Sequence, residues 1–201
     1  MAAGATGSAH GDWRFGSGRI CLDLMATAEA PAPPGREPLA GPGRLDDWLT
    51  GGGLVPPGTS LDGVDSRWVE SFTELRDWIS QVVRAEIEGL RADSALERVN
   101  GLAAVAPPVP CAVRDGRGAL VRAFAAPPGR AELLSVVARD AVALLTDPLA
   151  RAKLRQCEGD RCGRVYLDTS RGRRRRWCSS EVCGNRERVA RHRRRAALAR
   201  T

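Results

Sequence analysis

Cys157-Glu-Gly-Asp-Arg-Cys162 and, fifteen residues further on, Cys178-Ser-Ser-Glu-Val-Cys183 decide how the end of this 201-residue chain folds. Two cysteine pairs with matched spacing bracket a segment long enough for a hairpin. In a reducing compartment such pairs hold a metal rather than a disulfide, and zinc takes four thiolates in a tetrahedron. The competing readings are a redox disulfide pair and unrelated buried thiols. Cys157, Cys162, Cys178 and Cys183 are therefore the expected ligands of one zinc ion. With all four positions filled by protein, no place is left for water or substrate, so the metal is structural. A segment this short buries little apolar surface, so metal binding has to supply most of its folding free energy, on the order of 10 kcal/mol or more.

Working outward, Glu158-Gly159-Asp160 is a turn sequence between the first two ligands. Val165-Tyr166-Leu167 is expected to be the first strand of a hairpin and Arg176-Trp177 its return, with Ser170 to Arg175 at the tip. A helix is expected from about Asn185 to Leu198, so that knuckle, hairpin and helix form a treble-clef-like four-cysteine finger around the metal. Arginine crowds this frame: Arg171, Arg173, Arg174, Arg175 and Arg176 on the tip, and Arg186, Arg188, Arg191, Arg193, Arg194 and Arg195 on the helix. The net charge of +7 is unevenly divided. Residues 151–201 hold 17 basic against 5 acidic side chains, a net +12, and the first 150 residues carry −5. A helix of one sign repels itself, and phosphate is the counter-charge that guanidinium binds with two prongs. The plain alternative, a solvated surface, is usually of mixed sign. These eleven arginines are the candidate nucleic-acid-binding residues. Trp177 is expected to pack over the hairpin rather than stack on a base, and Tyr166 likewise. His192 belongs to the basic helix face, since four thiolates already suffice. Asp168 is placed to hold an arginine or to cap the turn before Thr169-Ser170.

Upstream, residues 1–12 are expected to be a disordered start and residues 13–150 a domain of ordinary size. No run is apolar enough to span a membrane, and the start lacks the apolar stretch of a secretory signal, which points to the cytoplasm. Ile20, Leu22 and Leu24 alternate with Cys21 and Asp23, which predicts a strand. A Pro/Gly-rich loop follows from Ala30 to Gly43, then a short helix over Leu45–Leu49 with Trp48 inward. Trp68, Phe72, Leu75, Ile79, Val82 or Val83, Ile87 and Leu90 share the apolar face of a helix from about Ser66 to Leu90, capped by Asp65 or Ser66. Ser94 and Glu97 read as a capping box for a helix to about Val105. Val109–Arg114 and Ala119–Phe124 flank Asp115-Gly116-Arg117-Gly118 as a β-hairpin. A helix over Arg130–Leu145 follows, and Asp147-Pro148 starts another through Leu154. Cys21 and Cys111, each alone in an apolar strand-like setting, read as buried core thiols. The fold class is thus α+β: a mainly helical N-terminal domain with a short strand and a β-hairpin, followed by the small zinc finger over 151–201.

Trp177-Cys178-Ser179-Ser180-Glu181-Val182-Cys183-Gly184-Asn185-Arg186 resembles the CGNR zinc-finger family of bacterial proteins, named for the tetrapeptide that stands here at 183–186. Arg175-Arg176 before it and Cys157 to Cys162 followed by Tyr166-Leu167-Asp168 are also similar to that family. Its usual architecture puts an ABATE domain in front of the finger. Phe15 to Thr27, the Leu75-Arg76 helix, Asn100 and the hairpin resemble that domain. Its first strand ends in Leu-Asp-(apolar)-(apolar)-Asn-Thr, whereas Leu22-Asp23-Leu24-Met25-Ala26-Thr27 carries Ala26 in place of the Asn. The resemblance implies a stress-linked transcription regulator with its finger on DNA and a front domain that senses a small-molecule effector or mediates association. RNA is the alternative partner, since a basic zinc module without a helix-turn-helix suits both. An enzyme in the front domain is the third reading. No nucleophile motif, phosphate loop or paired His supports it, His10 lies in the start, and Asp23 stands alone.

Overall fold

The computed structural model describes residues 13–29, 37–160 and 162–198, the last three by backbone alone. The expected disordered start, most of the Pro-rich part of the loop after Glu29, and the side chains of Ala196, Ala197 and Leu198 lie outside the described residues. Seven α-helices and two antiparallel hairpins account for the regular structure among the described residues.

The largest helix positions everything else. Helix α3 (Ser66–Glu88) begins where the Asp65 carboxylate accepts the Trp68 N–H at 3.1 Å and ends at Gly89 in the left-handed conformation. Its inward stripe of Phe72, Leu75, Ile79, Val82 and Val83 is buried, as the periodicity implied. Ile87 and Leu90, expected on the same stripe, are exposed beyond the edge of the core. Helix α2 (Pro42–Gly51) sends Trp48 inward between Phe15 and Phe72, at ring-centre distances of 6.3 and 6.2 Å. Helices α4 (Asp93–Ala103) and α5 (Arg130–Thr146) pack against α3 and each other. The Ser94/Glu97 capping box does not form. The helix begins one residue earlier, at Asp93, which pairs with Arg91.

The expected strand at 20–24 is instead a short helix, α1 (Ile20–Met25), continued by a 3-10 turn over Ala26–Glu29. Alternation misleads here because the segment has no solvent side. Cys21, Leu22 and Leu24 are fully buried, and so is most of Asp23, whose carboxylate accepts the N–H groups of Gly16 (3.1 Å) and Ser17 (2.8 Å). Asp140, on α5, accepts the Cys21 N–H at 3.0 Å and so supplies the cap that α1 lacks in its own sequence. Asp23 is therefore committed to the chain entry, and burial pushes its carboxyl pKa up despite the two donors.

Ahead of α2, Glu37 grips Arg76 of α3 with two bonds, 2.6 and 2.9 Å. Arg76 is buried and its other carboxylate partner is the exposed Asp77 at 3.2 Å, so removing Glu37 leaves the buried charge with only that one pairing. Glu37→Gln is expected to cost about 2–3 kcal/mol, read by denaturant unfolding, less than a fully buried pair because Glu37 keeps a third of its side chain in water. The bond from Arg76 holds the Glu37 carboxyl below its ordinary range. The pair's stabilisation is therefore complete above the unfolded carboxylate pKa and is lost as pH falls through the depressed one.

The first hairpin, β1 (Pro110–Arg114) with β2 (Leu120–Phe124), stands where expected, in register Val113↔Val121. It is mostly exposed, so Cys111 is a half-buried free thiol rather than a core one, whereas Cys21 is fully buried. Asp147 caps helix α6 as expected, but α6 (Pro148–Arg151) is a single turn. The chain then enters strand β3 (Leu154–Gln156), which pairs antiparallel with β4 (Val165–Leu167) in register Arg155↔Tyr166. This second hairpin corrects the expected pairing of Val165–Leu167 with Arg176–Trp177.

Candidate metal centre

Because β3 leads into Cys157 and β4 leaves from Arg164, the first cysteine pair lies in the connection of the second hairpin. Cys157 N–H donates to the Arg164 carbonyl at 2.9 Å and closes that turn. The second pair comes back across the hairpin. Glu158 N–H donates to the Arg176 carbonyl at 2.9 Å, a single link where a strand was expected. Ser179 caps a π turn over Ser180–Gly184 that carries Cys183, and helix α7 (Asn185–Leu198) follows directly. Knuckle, hairpin and helix are all present.

The sulfurs of Cys157, Cys162, Cys178 and Cys183 lie within 4.8 Å of one another. Cys178 Sγ is 3.7 Å from Cys162 Sγ and 3.6 Å from Cys183 Sγ, far beyond a disulfide bond. Four sulfurs around zinc at about 2.3 Å stand roughly 3.8 Å apart in a tetrahedron, so the spacing fits a single zinc ion. Gly159 borders the cluster: a Cβ placed there would sit at ordinary contact, 3.6 Å, from Cys157 Sγ and from the Cβ atoms of Cys162 and Cys183. The Cys178 N–H points at Cys157 Sγ at 3.3 Å. Burial works against a Cys157 thiolate, but the N–H groups of Cys178 and Gly159 outweigh it and lower its pKa. Burial raises Cys162 to about 11, and burial with neighbouring sulfurs raises Cys178 further. Thiolates packed this closely repel one another, and a divalent cation among them removes that penalty.

Trp177 packs as expected. Its ring lies over Gly184, where an added Cβ would meet Cε3 at 3.4 Å, and the Arg176 guanidinium lies 5.2 Å from its ring centre. Tyr166 is fully buried and donates to the Arg175 carbonyl at 2.6 Å. Asp168 laces the arginine segment into a defined loop. It accepts the Ser170 hydroxyl (2.6 Å), the Ser170 N–H (3.0 Å) and the Arg175 N–H (3.0 Å). The bonds from Ser170 lead the causes that hold its carboxyl low.

The arginines divide by what they touch. Arg175 is turned inward: it lies 4.7 Å over the Tyr166 ring and donates to the carbonyls of Trp177 and Cys178. Arg176 pairs with Glu158 at 2.6 Å. Arg188 reaches the Ser180 carbonyl at 3.4 Å, and Arg194 reaches Glu187 at 3.9 Å. Arg171, Arg173, Arg174, Arg186, Arg191, Arg193 and Arg195 are exposed with no partner among the described residues. Arg173 also holds a left-handed backbone, φ 48°, which costs a non-glycine residue about 1 kcal/mol. His192 stands exposed on α7, away from the cysteine cluster.

The finger is not a separate appendage. Leu154, Val165 and Leu167 are buried in the same core as α1, α3 and α5. Leu167 N–H donates to the Ser17 carbonyl at 2.8 Å, and Gly18, at φ 96°, leaves room for Leu167, whose Cβ would lie 3.1 Å from a Cβ placed there. Arg84 of α3 donates to the Gly163 carbonyl at 3.1 Å and lies 3.8 Å from Glu29, whose other oxygen is 3.8 Å from Cys162 Sγ.

A helical domain sharing its core with a four-cysteine zinc module is the class that this geometry defines. The ABATE family model, described as a putative stress-induced transcription regulator, matches residues 18–148, and the CGNR zinc-finger model matches residues 153–196. The chain belongs to the ABATE family and carries a CGNR zinc finger behind that domain. A comparison with curated proteins finds no match. Among the described residues, no helix is long and apolar enough to cross a membrane.

Proposed function

We propose that the chain is a DNA-binding transcription regulator whose zinc module grips duplex DNA by its phosphates. Cys157, Cys162, Cys178 and Cys183 would hold one structural zinc ion, which supplies no chemistry beyond cross-linking the knuckle to the start of α7. The Asp168-laced loop then presents Arg171, Arg173 and Arg174, and α7 presents Arg186, Arg191, Arg193 and Arg195. Arg175 serves the scaffold. The front domain is the place for an effector or for association between chains.

The observation that carries this reading is Arg173. Glycine is at ease at φ 48° and arginine is not, so a cationic side chain is retained at a backbone cost. Arg173→Gly separates the two roles. Thermal stability is expected to stay level or rise slightly, because relieved strain offsets the extra freedom of the unfolded chain. Affinity for duplex DNA is expected to fall by about 1 kcal/mol, roughly fivefold, the worth of one exposed charge-assisted hydrogen bond. Unchanged affinity would remove Arg173 from the interface. A structured RNA competitor that displaces the duplex at equal concentration would favour the RNA reading.

A further inference from the structure

Glu29 and Arg84 belong to the front domain, yet both reach the knuckle that carries Cys162. Arg84 donates from Nη2 to the Gly163 carbonyl at 3.1 Å, and the same nitrogen lies 3.8 Å from one Glu29 oxygen. Its Nε donates to the Ser80 hydroxyl at 3.3 Å, which steadies the guanidinium along α3. The other Glu29 oxygen is 3.8 Å from Cys162 Sγ. Gly163 makes this approach possible. A Cβ there would lie 2.9 Å from Glu29 Oε1 and 3.6 Å from Arg84 Nη2, and would push the carboxylate aside. Cys157 and Cys183 are buried, whereas Cys162 and Cys178 are half-buried. Cys162 thus combines partial exposure with a carboxylate neighbour from the other domain.

These charges matter because of what the cluster becomes when loaded. Four thiolates outweigh one divalent cation, so the centre is an anion. The hollow beside Cys162 and Cys183 is lined by Asp160, Glu187 and Arg186, two acids to one base. A carboxylate beside a thiolate raises the energy of that anion, and a guanidinium on the same knuckle lowers it. We infer that the front domain sets how tightly the finger holds zinc, with Arg84 strengthening the Cys162 corner and Glu29 weakening it. Both are positioning residues of the metal centre, since neither is a ligand. Groups outside a ligand set change metal affinity about ten- to a hundredfold. Arg84 and Glu29 keep 37% and 28% of their side chains in water, so the lower end of that range applies. Any event in the front domain that draws Arg84 away from the knuckle loosens zinc, and by linkage bound zinc resists that event. This coupling does not depend on DNA binding, and its test contains no DNA.

Zinc affinity of the full-length chain, measured by competition with a chromogenic chelator, is expected to fall roughly tenfold in Arg84→Gln and to rise severalfold in Glu29→Gln. Arg84→Lys keeps the charge and is expected to recover most of the loss. Alkylation of Cys162 in the zinc-loaded chain, located by mass spectrometry, is expected to be faster in Arg84→Gln and slower in Glu29→Gln. The opposite signs carry the test. A bridge that merely tied the finger to the front domain would be broken by either variant, and both would then lose zinc. Equal loss in the two variants, or unchanged affinity in both, would overturn the inference. Should the melting temperature show that Arg84→Gln does not fold, Glu29→Gln decides alone: tighter zinc supports the inference, and equal or weaker zinc overturns it. A wild-type chain without zinc affinity would overturn the metal assignment and this inference together.

Discussion

Cys178→Ser is expected to strip the chain of zinc and unfold the segment from Asp168 onward. Cys178 stands between two other sulfurs, and its N–H steadies a third, so its loss opens the cluster at its centre. A structural zinc site of this kind contributes on the order of 10 kcal/mol or more. The small cluster of Cys157, Tyr166 and Cys183 has little apolar surface to offer in compensation. Metal analysis is expected to fall from about one zinc per chain to none, and limited proteolysis to cleave within the arginine loop and α7. The effect should also reach the front domain. Leu154, Val165 and Leu167 belong to its core, and β4 bonds to Ser17. Once the knuckle between β3 and β4 is loose, that hairpin is held by three residues a side. The melting temperature of the helical domain is expected to drop by several degrees, at about 2–4 °C per kcal/mol for a chain of this size. A protease-resistant finger without metal would mean that thiol packing suffices. A front-domain melting temperature indifferent to zinc would mean that the shared core is not coupled to the metal.

The second large effect concerns charge. Changing Arg171, Arg173 and Arg174 together to Ala is expected to weaken binding to duplex DNA while zinc content stays at one per chain. Each arginine withdrawn from a phosphate lowers the log–log slope of affinity against salt by about 0.9, so the triple change lowers it by roughly 2.7. At low salt the affinity is expected to fall about a hundredfold, from three exposed charge-assisted hydrogen bonds at about 1 kcal/mol each. Arg175 is left out on purpose. Its guanidinium holds the carbonyls of Trp177 and Cys178, so its removal would damage the metal frame and confuse the reading. Full affinity in the triple variant would move the DNA-binding surface to α7, where Arg186, Arg191, Arg193 and Arg195 stand exposed.

How much of this was legible in the sequence follows from the range of the forces involved. The cysteine spacing and the turn residues between the ligands are local signals, and they placed the metal cluster. Helix α3 was equally plain, because the Asp65 cap and the stripe of Phe72, Leu75 and Ile79 lie within one segment, although its end was placed at Leu90, past the left-handed Gly89 that stops it. The Ile20–Met25 segment was misread because its alternation has no solvent side to refer to, and its cap comes from Asp140, far along the chain. Strand β3 is three residues long and exists through pairing with β4 across the knuckle; nothing in Leu154-Arg155-Gln156 itself announces a strand. The inward turn of Arg175 depends on two carbonyls that only the folded loop brings near it. Charge composition showed that arginines were abundant, but not which of them were spent on the fold.

Zinc-dependent binding tests the central claim most directly. Anisotropy of a labelled DNA duplex titrated with the full chain is to be measured with zinc bound, after chelation, and after zinc is restored. The zinc-held surface predicts binding, its collapse to a weak residual on chelation, and recovery with one equivalent of metal. Undiminished binding by the metal-free chain would contradict it, for the arginines would then act as a flexible charged tail that needs no frame.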